Sequence, residues 1–355
     1  MSKPLEGLNV VEFAGIGPAP FAAMVLAGLG ARVTVIARPA SASDAGLFGT
    51  APNVLDRDKT ILPIDLKSEG GRRKALALID EADVLIEGFR PGVMEKLQFG
   101  PDECLSRNRR LIYGRMTGWG QTGPLAATAG HDLNYIALTG ALAAMGPAGG
   151  PPTIPLNLVG DFAGGSLIAV LGILAALHER HSSGQGKVID AAIIDGVSLL
   201  TTFHRGLRAS GFENEEPGTN LLDGGCPFYR TYRCRDGNHV AIGCLEPQFF
   251  SKFAAISGLD PSWQEKRFDR ALWPQLEQAI EGIFAARDRD EWAALFEASD
   301  ACVTPVLTIE EAPAHPHVQA RQTFILDGDV LLPVPAPRFI SNILDNNKGQ
   351  VTHHE

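Results

Sequence analysis

Apolar residues recur along this chain with two periods, and the switches between them mark its elements. Leu8-Asn9-Val10-Val11-Glu12-Phe13 reads as a buried strand, Phe21 to Leu29 as a helix, and Ala31 to Ile36 as a second strand. That order opens a doubly wound parallel sheet. The pattern continues with a strand over Thr60 to Leu66, a helix over Glu69 to Ile79, and strands over Asp83 to Ile86 and Leu111 to Met116. Two apolar, helix-like runs follow, IALTGALAAM after His131 and SLIAVLGILAAL after Asp161. The second is predicted to run to about His181, where Ser183-Gly184-Gln185-Gly186 breaks it. Its most apolar part, Phe162 to Leu177, reads as a buried helix, shorter than a membrane span. Lys187 to Ile193 is a further strand and Gly196 to Ala209 a further helix.

The pattern then changes. Glu213-Asn214-Glu215-Glu216-Pro217-Gly218 is polar and rich in turn residues. Phe228 to Cys234 and His239 to Cys244 flank Arg235-Asp236-Gly237-Asn238, a hairpin signal. Helices are predicted over Gln248 to Ile256, Leu272 to Ala286 and Asp290 to Glu297. The expected fold class is α/β, with a Rossmann-like large domain built on a parallel sheet and a smaller α+β domain. The large domain would take residues 1–195 and 315–355, the small one 225–306, with linkers at 196–224 and 307–314.

With 355 residues, 45% of them apolar, the chain can bury a core large enough for two domains. A net charge of -10 argues against nucleic acid as a partner, which needs a clustered basic face. The five cysteines form no C-x-x-C pair and are odd in number, so a reducing compartment is expected and no metal site. The N-terminus lacks the apolar core of a signal peptide and no Ser-Lys-Leu address closes the chain, so a cytoplasmic protein is expected, with peroxisome and mitochondrion left open.

Loops at the ends of parallel strands carry ligands in such sheets. The first, Gly15-Ile16-Gly17-Pro18-Ala19-Pro20, imitates a dinucleotide fingerprint but lacks its third glycine, and its prolines remove N–H donors. A nicotinamide cofactor is therefore not expected. Arg38, Lys67, Arg90 and Arg115 are the phosphate candidates. His131 and Asp161 each follow a glycine and precede a helix-like run, so both are expected at helix N-termini, where they could act as opposed proton carriers. An N-cap is the plainer role for such an Asp. Glu246, after a strand and before Pro247, could orient a histidine and stabilise its imidazolium form.

An ordered set of motifs resembles the alpha-methylacyl-CoA racemase branch of the family III (CaiB/BaiF-like) CoA-transferases. They include GIGPAPFAAMVLAGLGARV, IDLK, EGFRPGVMEKL, YGRMTGWGQTGP, GHDLNYIALTG, PLNLVGDFAGG and DACVTPVLT. The resemblance implies an interlocked homodimer with an active site shared between subunits. It implies that His131 and Asp161 carry the α-proton on opposite faces of an enolate, with Glu246 paired to the histidine. Arg38, Ile64, Asp65, Leu66, Lys67, Gly130, Asp132, Leu133, Asn134 and Tyr135 match coenzyme A contacts, and Arg90 joins them as a candidate. The 2-methylacyl-CoA thioester would be the substrate and no other cofactor is expected. Apolar Leu158 and Phe162 would help keep Asp161 protonated. The family's alternative chemistry is CoA transfer with Asp161 as nucleophile. The chain departs from the family pattern at Thr60 to Pro63, and in a polar tail after Ile340 where a further helical segment is expected.

Overall fold

A computed structural model describes residues 3–39 and 53–340. The tail after Ile340 lies outside the described residues. The chain falls into two compact units, Met1–Arg115 with Ala169–Ile189 and Pro316–Glu355, and Met116–Ile168 with Asp190–His315.

The first unit begins with β1 (Asn9–Phe13), α1 (Pro18–Gly28), β2 (Arg32–Ala37), β3 (Lys59–Pro63), α2 (Glu69–Asp80) and β4 (Val84–Glu87). It continues with α3 (Val93–Lys96), α4 (Pro101–Arg107) and β5 (Ile112–Thr117). With β6 (Lys187–Ala192) these strands form one six-stranded sheet, ordered β3-β2-β1-β4-β5-β6. The pairs from β3 through β5 are parallel. Hydrogen bonds from Lys187 N–H to the Leu111 carbonyl and from Ile194 N–H to the Gly118 carbonyl run β6 the same way. Parallel strands end on one edge, so Arg38, the Ile64-to-Lys67 segment and Arg90 follow β2, β3 and β4 on the same side of the sheet.

Val11, Phe13, Ile36, Leu85, Phe99 and Tyr113 form the core on one face. Glu12 is the charged residue in β1, buried there and paired: Lys59 Nζ lies 2.7 Å from its Oε2 and also donates to the Pro20 carbonyl. Ser68 caps α2, its Oγ accepting from Gly71 N–H at 3.0 Å. Replacing Ser68 by Ala is expected to cost about 1 kcal/mol in urea unfolding.

The second unit contains α5 (Asp132–Leu138) and a π-helix over Leu158–Leu167, whose wide turns appear in the Phe162 N–H to Asn157 carbonyl bond. The π-helix runs without a break into α6 (Ile168–Ser183). The whole helix is 26 residues, and its most apolar 18-residue stretch has a mean hydropathy of 1.9, so by length and composition it could cross a membrane, contrary to the shorter run expected. Within the first unit it buries Ala169, Val170, Ile173 and Leu177, and Arg180 donates to Asp83 and to the Arg110 carbonyl.

Next come α7 (Ile193–Leu200) and α8 (Thr202–Ala209), so the first part of the stretch expected as a linker is helical, as the Gly196-to-Ala209 pattern predicts. α7 packs on the π-helix, with Val197 against Gly164 and Ile193 against Gly165. β7 (Tyr229–Arg233) and β8 (His239–Gly243) form the expected hairpin, and β9 (Val303–Pro305) adds a third antiparallel strand. α9 (Pro247–Ser257), α10 (Trp263–Lys266), α11 (Trp273–Phe284) and α12 (Arg289–Phe296) complete this unit. Its core is aromatic, with Phe284 stacked on Tyr232 and Phe253 and edge-on to Trp292. Four of the five cysteines are buried, and burial pushes the Cys226 thiol up to about 12 and Cys234 to about 11. Cys302 is exposed, in the left-handed region at φ 53°. In the first unit β10 (Phe324–Asp327) and β11 (Val330–Pro333) pair as a hairpin through Gly328.

Candidate active site

His131 is the N-cap of α5, in extended backbone with its ring exposed. Its N–H donates to Asn134 Oδ1 at 3.0 Å, which holds the entry to the helix. The preceding carbonyl, Gly130, accepts from the Tyr135 hydroxyl, and Tyr135 packs edge-on against Trp119 at 4.7 Å. Gly118 and Gly130 are needed here, because a Cβ on either would run into the Tyr135 ring. α5 is shorter than the expected run and stops at Leu138, with Gly140 at φ +82° just beyond.

Asp161 does not cap a regular helix. It sits in the first turn of the π-helix, partly buried. Its N–H donates to Asp132 Oδ1 at 2.6 Å, and Asn157 Nδ2 lies 3.5 Å from its Oδ2. Burial and the nearby Asp132 carboxylate push the Asp161 carboxyl up to about 6, against smaller pulls from Asn157 and His131. Leu158, expected to shield it, is instead 55% exposed. Asp132 itself is buried and its carboxyl is also raised by burial. The structure therefore brings His131, Asp132 and Asp161 into adjoining first turns of two helices. Leu133 and Asn134 are exposed on α5, and Tyr135 is buried.

Glu246 is the exposed N-cap of α9. Among the described residues no hydrogen bond or ion pair joins it to His131. Its charge is felt at Cys302, whose thiol is raised by burial and then by Glu246. A cavity of about 1440 Å³ lies in the second unit, lined by residues that include Thr139, His204, Arg208, Glu213, Arg230 and Cys302. His131, Asp161 and Glu246 are not among its lining residues.

In the first unit Arg38, Asp65, Lys67 and Arg90 are exposed, Leu66 is half-buried and Ile64 is buried. The Lys67 backbone N–H donates to Asp65 Oδ1 at 3.0 Å and shapes the turn after β3. Arg115 departs from expectation. It is buried and paired with two carboxylates, donating to Glu87 Oε1 at 3.0 Å and to Glu95 Oε1 at 2.8 Å. Three of its five N–H donors are taken by two carboxylates that already balance its charge, which leaves it poorly suited to hold a phosphate. The pairing was not visible from sequence because Glu87 and Glu95 lie 28 and 20 residues away, across β4–β5 and on α3. No group of three or more metal-ligating side chains occurs among the described residues.

The six-stranded sheet, ordered as in doubly wound folds, defines an α/β protein, and His131 and Asp161 stand at the starts of neighbouring helices in its second unit. The chain belongs to CoA-transferase family III, which it matches over residues 5–353. It is 44% identical to the alpha-methylacyl-CoA racemase of Mus musculus over 94% of this chain and 86% of that protein. It is 42% identical to the alpha-methylacyl-CoA racemase of Homo sapiens, over 95% of this chain and 87% of that protein. The crystal structure of a CaiB/BaiF family protein from Brucella suis superposes with a TM-score of 0.78 at 27% identity, covering 96% of this chain and 93% of that one.

Proposed function

We propose that the protein interconverts the (R) and (S) epimers of 2-methylacyl-CoA thioesters by 1,1-proton transfer. The observation that carries this reading is the joining of the two proton carriers: Asp161 is hydrogen-bonded through its backbone to Asp132, the residue next to His131. Racemisation needs one acid and one base, in opposite protonation states, on opposite faces of one carbon. An aspartic acid that holds its proton to about 6 beside a histidine meets that need.

In this mechanism neutral His131 removes the α-proton of one epimer and protonated Asp161 delivers a proton to the other face. The roles reverse in the opposite direction. The first N–H groups of α5, at Asp132 and Leu133, have no carbonyl of their own helix to pair with and can donate to the enolate oxygen. Glu246 belongs in this scheme as the carboxylate that holds the His131 ring, supplied by a second copy of the chain in a homodimer. Its exposure at a helix start supports that placement. Arg38, Lys67 and Arg90, exposed on one edge of the sheet, are the positions for coenzyme A phosphates, with Asp65 and Leu66 shaping the turn.

The test is proton NMR of (S)-2-methylacyl-CoA with the protein in deuterium oxide. The α-proton signal is expected to disappear while the other epimer grows in. Transfer of CoA to an added free acid without exchange, together with hydroxylamine trapping of an acyl group on Asp161, would replace this reading by CoA transfer with Asp161 as nucleophile.

A further inference from the structure

We infer that the Asp132 side chain is a positioning residue that sets the separation of the two proton carriers, by clamping the opening turn of the π-helix to the start of α5. The inference rests on the reading in which His131 and Asp161 share the proton, and it assigns to Asp132 a task distinct from contact with coenzyme A.

A helix start leaves its first N–H groups without intrahelical partners. In the π-helix two of them, at Gly160 and Asp161, are satisfied from outside by the Asp132 carboxylate, with the Asp161 N–H at 2.6 Å from Oδ1. Asp132 is only 7% exposed, so this carboxylate is not a solvated surface group that meets the helix by chance. The approach is so close that only glycine is tolerated at position 160: a Cβ there would collide with Asp132 Oδ1 and press on Ile136. Asp132 is also the first residue of α5, and His131 is its cap. One side chain thus links the backbone that carries His131 to the backbone that carries Asp161.

The same contact couples the two carboxyls. Burial raises the Asp132 carboxyl and the two backbone N–H groups partly offset that, while negative charge on Asp132 favours the protonated form of Asp161. The other polar groups facing Asp161 are His131 and Asn157. α7 presents apolar Ile193 and Val197 to the π-helix, and its acid, Asp195, is exposed.

The experiment compares Asp132→Ala, Asp132→Asn and Gly160→Ala with the wild type. The readouts are α-proton exchange kinetics and a carboxyl titration of Asp161 by NMR of protein labelled with ¹³C-aspartate. Asp132→Ala and Gly160→Ala are expected to lower kcat roughly 100-fold through misplacement of the acid, with KM for the acyl-CoA within about threefold of wild type. Asp132→Asn keeps an acceptor oxygen, so it should retain more activity than Asp132→Ala while the Asp161 midpoint moves to lower pH. Wild-type kcat in Asp132→Ala, or an Asp161 midpoint unmoved in Asp132→Asn, would overturn the inference. A wild type that exchanges no α-proton would sink the racemase reading instead, and the titration, which needs no turnover, would still decide the clamp.

Discussion

Asp161→Asn is expected to lower epimerisation at least about 1000-fold, within the range for losing a positioned proton carrier, and to make the protein more resistant to heat above pH 6. The two effects have one cause. Burial and Asp132 raise the Asp161 carboxyl from 3.8 to about 6. A carboxyl raised on folding binds its proton more tightly in the native state. Its contribution to stability is fully present below 3.8 and is lost as pH rises through about 6, where the native state must hold a charge in a partly desolvated place. An amide carries no such charge. Melting curves of the variant should therefore lie above those of the wild type at pH 8, and the gap should close towards pH 4. A variant that melts lower than wild type at pH 8 would mean that Asp161 is a stabilising helix-start residue and no more.

Arg115→Met is expected to destabilise the protein by about 3–5 kcal/mol, the usual penalty for leaving a buried charge without its partner. Glu87 is fully buried, and with the guanidinium gone it keeps only the Phe89 N–H bond to offset its desolvation. Burial already raises the Glu87 carboxyl, so it takes up a proton in acid, and the destabilisation should shrink as pH falls. The double variant Glu87→Gln/Arg115→Met should recover most of the loss in chemical denaturation. KM for the acyl-CoA, measured on folded protein, should stay within about twofold for every member of the set. A selective rise in KM without loss of stability would return Arg115 to the phosphate candidates.

Legibility in the sequence followed the physics of each segment. β1, β2, β4, β5, the β7–β8 hairpin and most long helices carry a clean period and strong turn residues, and their predicted spans lie within a few residues of those seen. β9 was missed because three residues ending in Pro305 show no period. The β10–β11 hairpin has its signal in Asp327-Gly328-Asp329 between two short apolar runs, a weaker one than the β7–β8 turn. At the site, His131 stands at a helix cap as its glycine-led context predicted. The π-helix around Asp161 was not legible, because a glycine-rich apolar run scans alike at 3.6 and at wider turns. Arg115 misled for a different reason. A charged residue near a strand end looks like ligand-ready surface until its distant partners are known.

The cysteines give the protein a practical property. Of five thiols four are buried, and Cys302 alone is exposed, among the residues lining the large cavity and within electrostatic reach of Glu246. A maleimide dye would therefore attach at one position without mutagenesis, slowly at neutral pH because the Cys302 thiolate is disfavoured. Such a label would report continuously on the surroundings of Glu246 as acyl-CoA and protein concentration are varied, turning an unremarkable side chain into a built-in optical gauge.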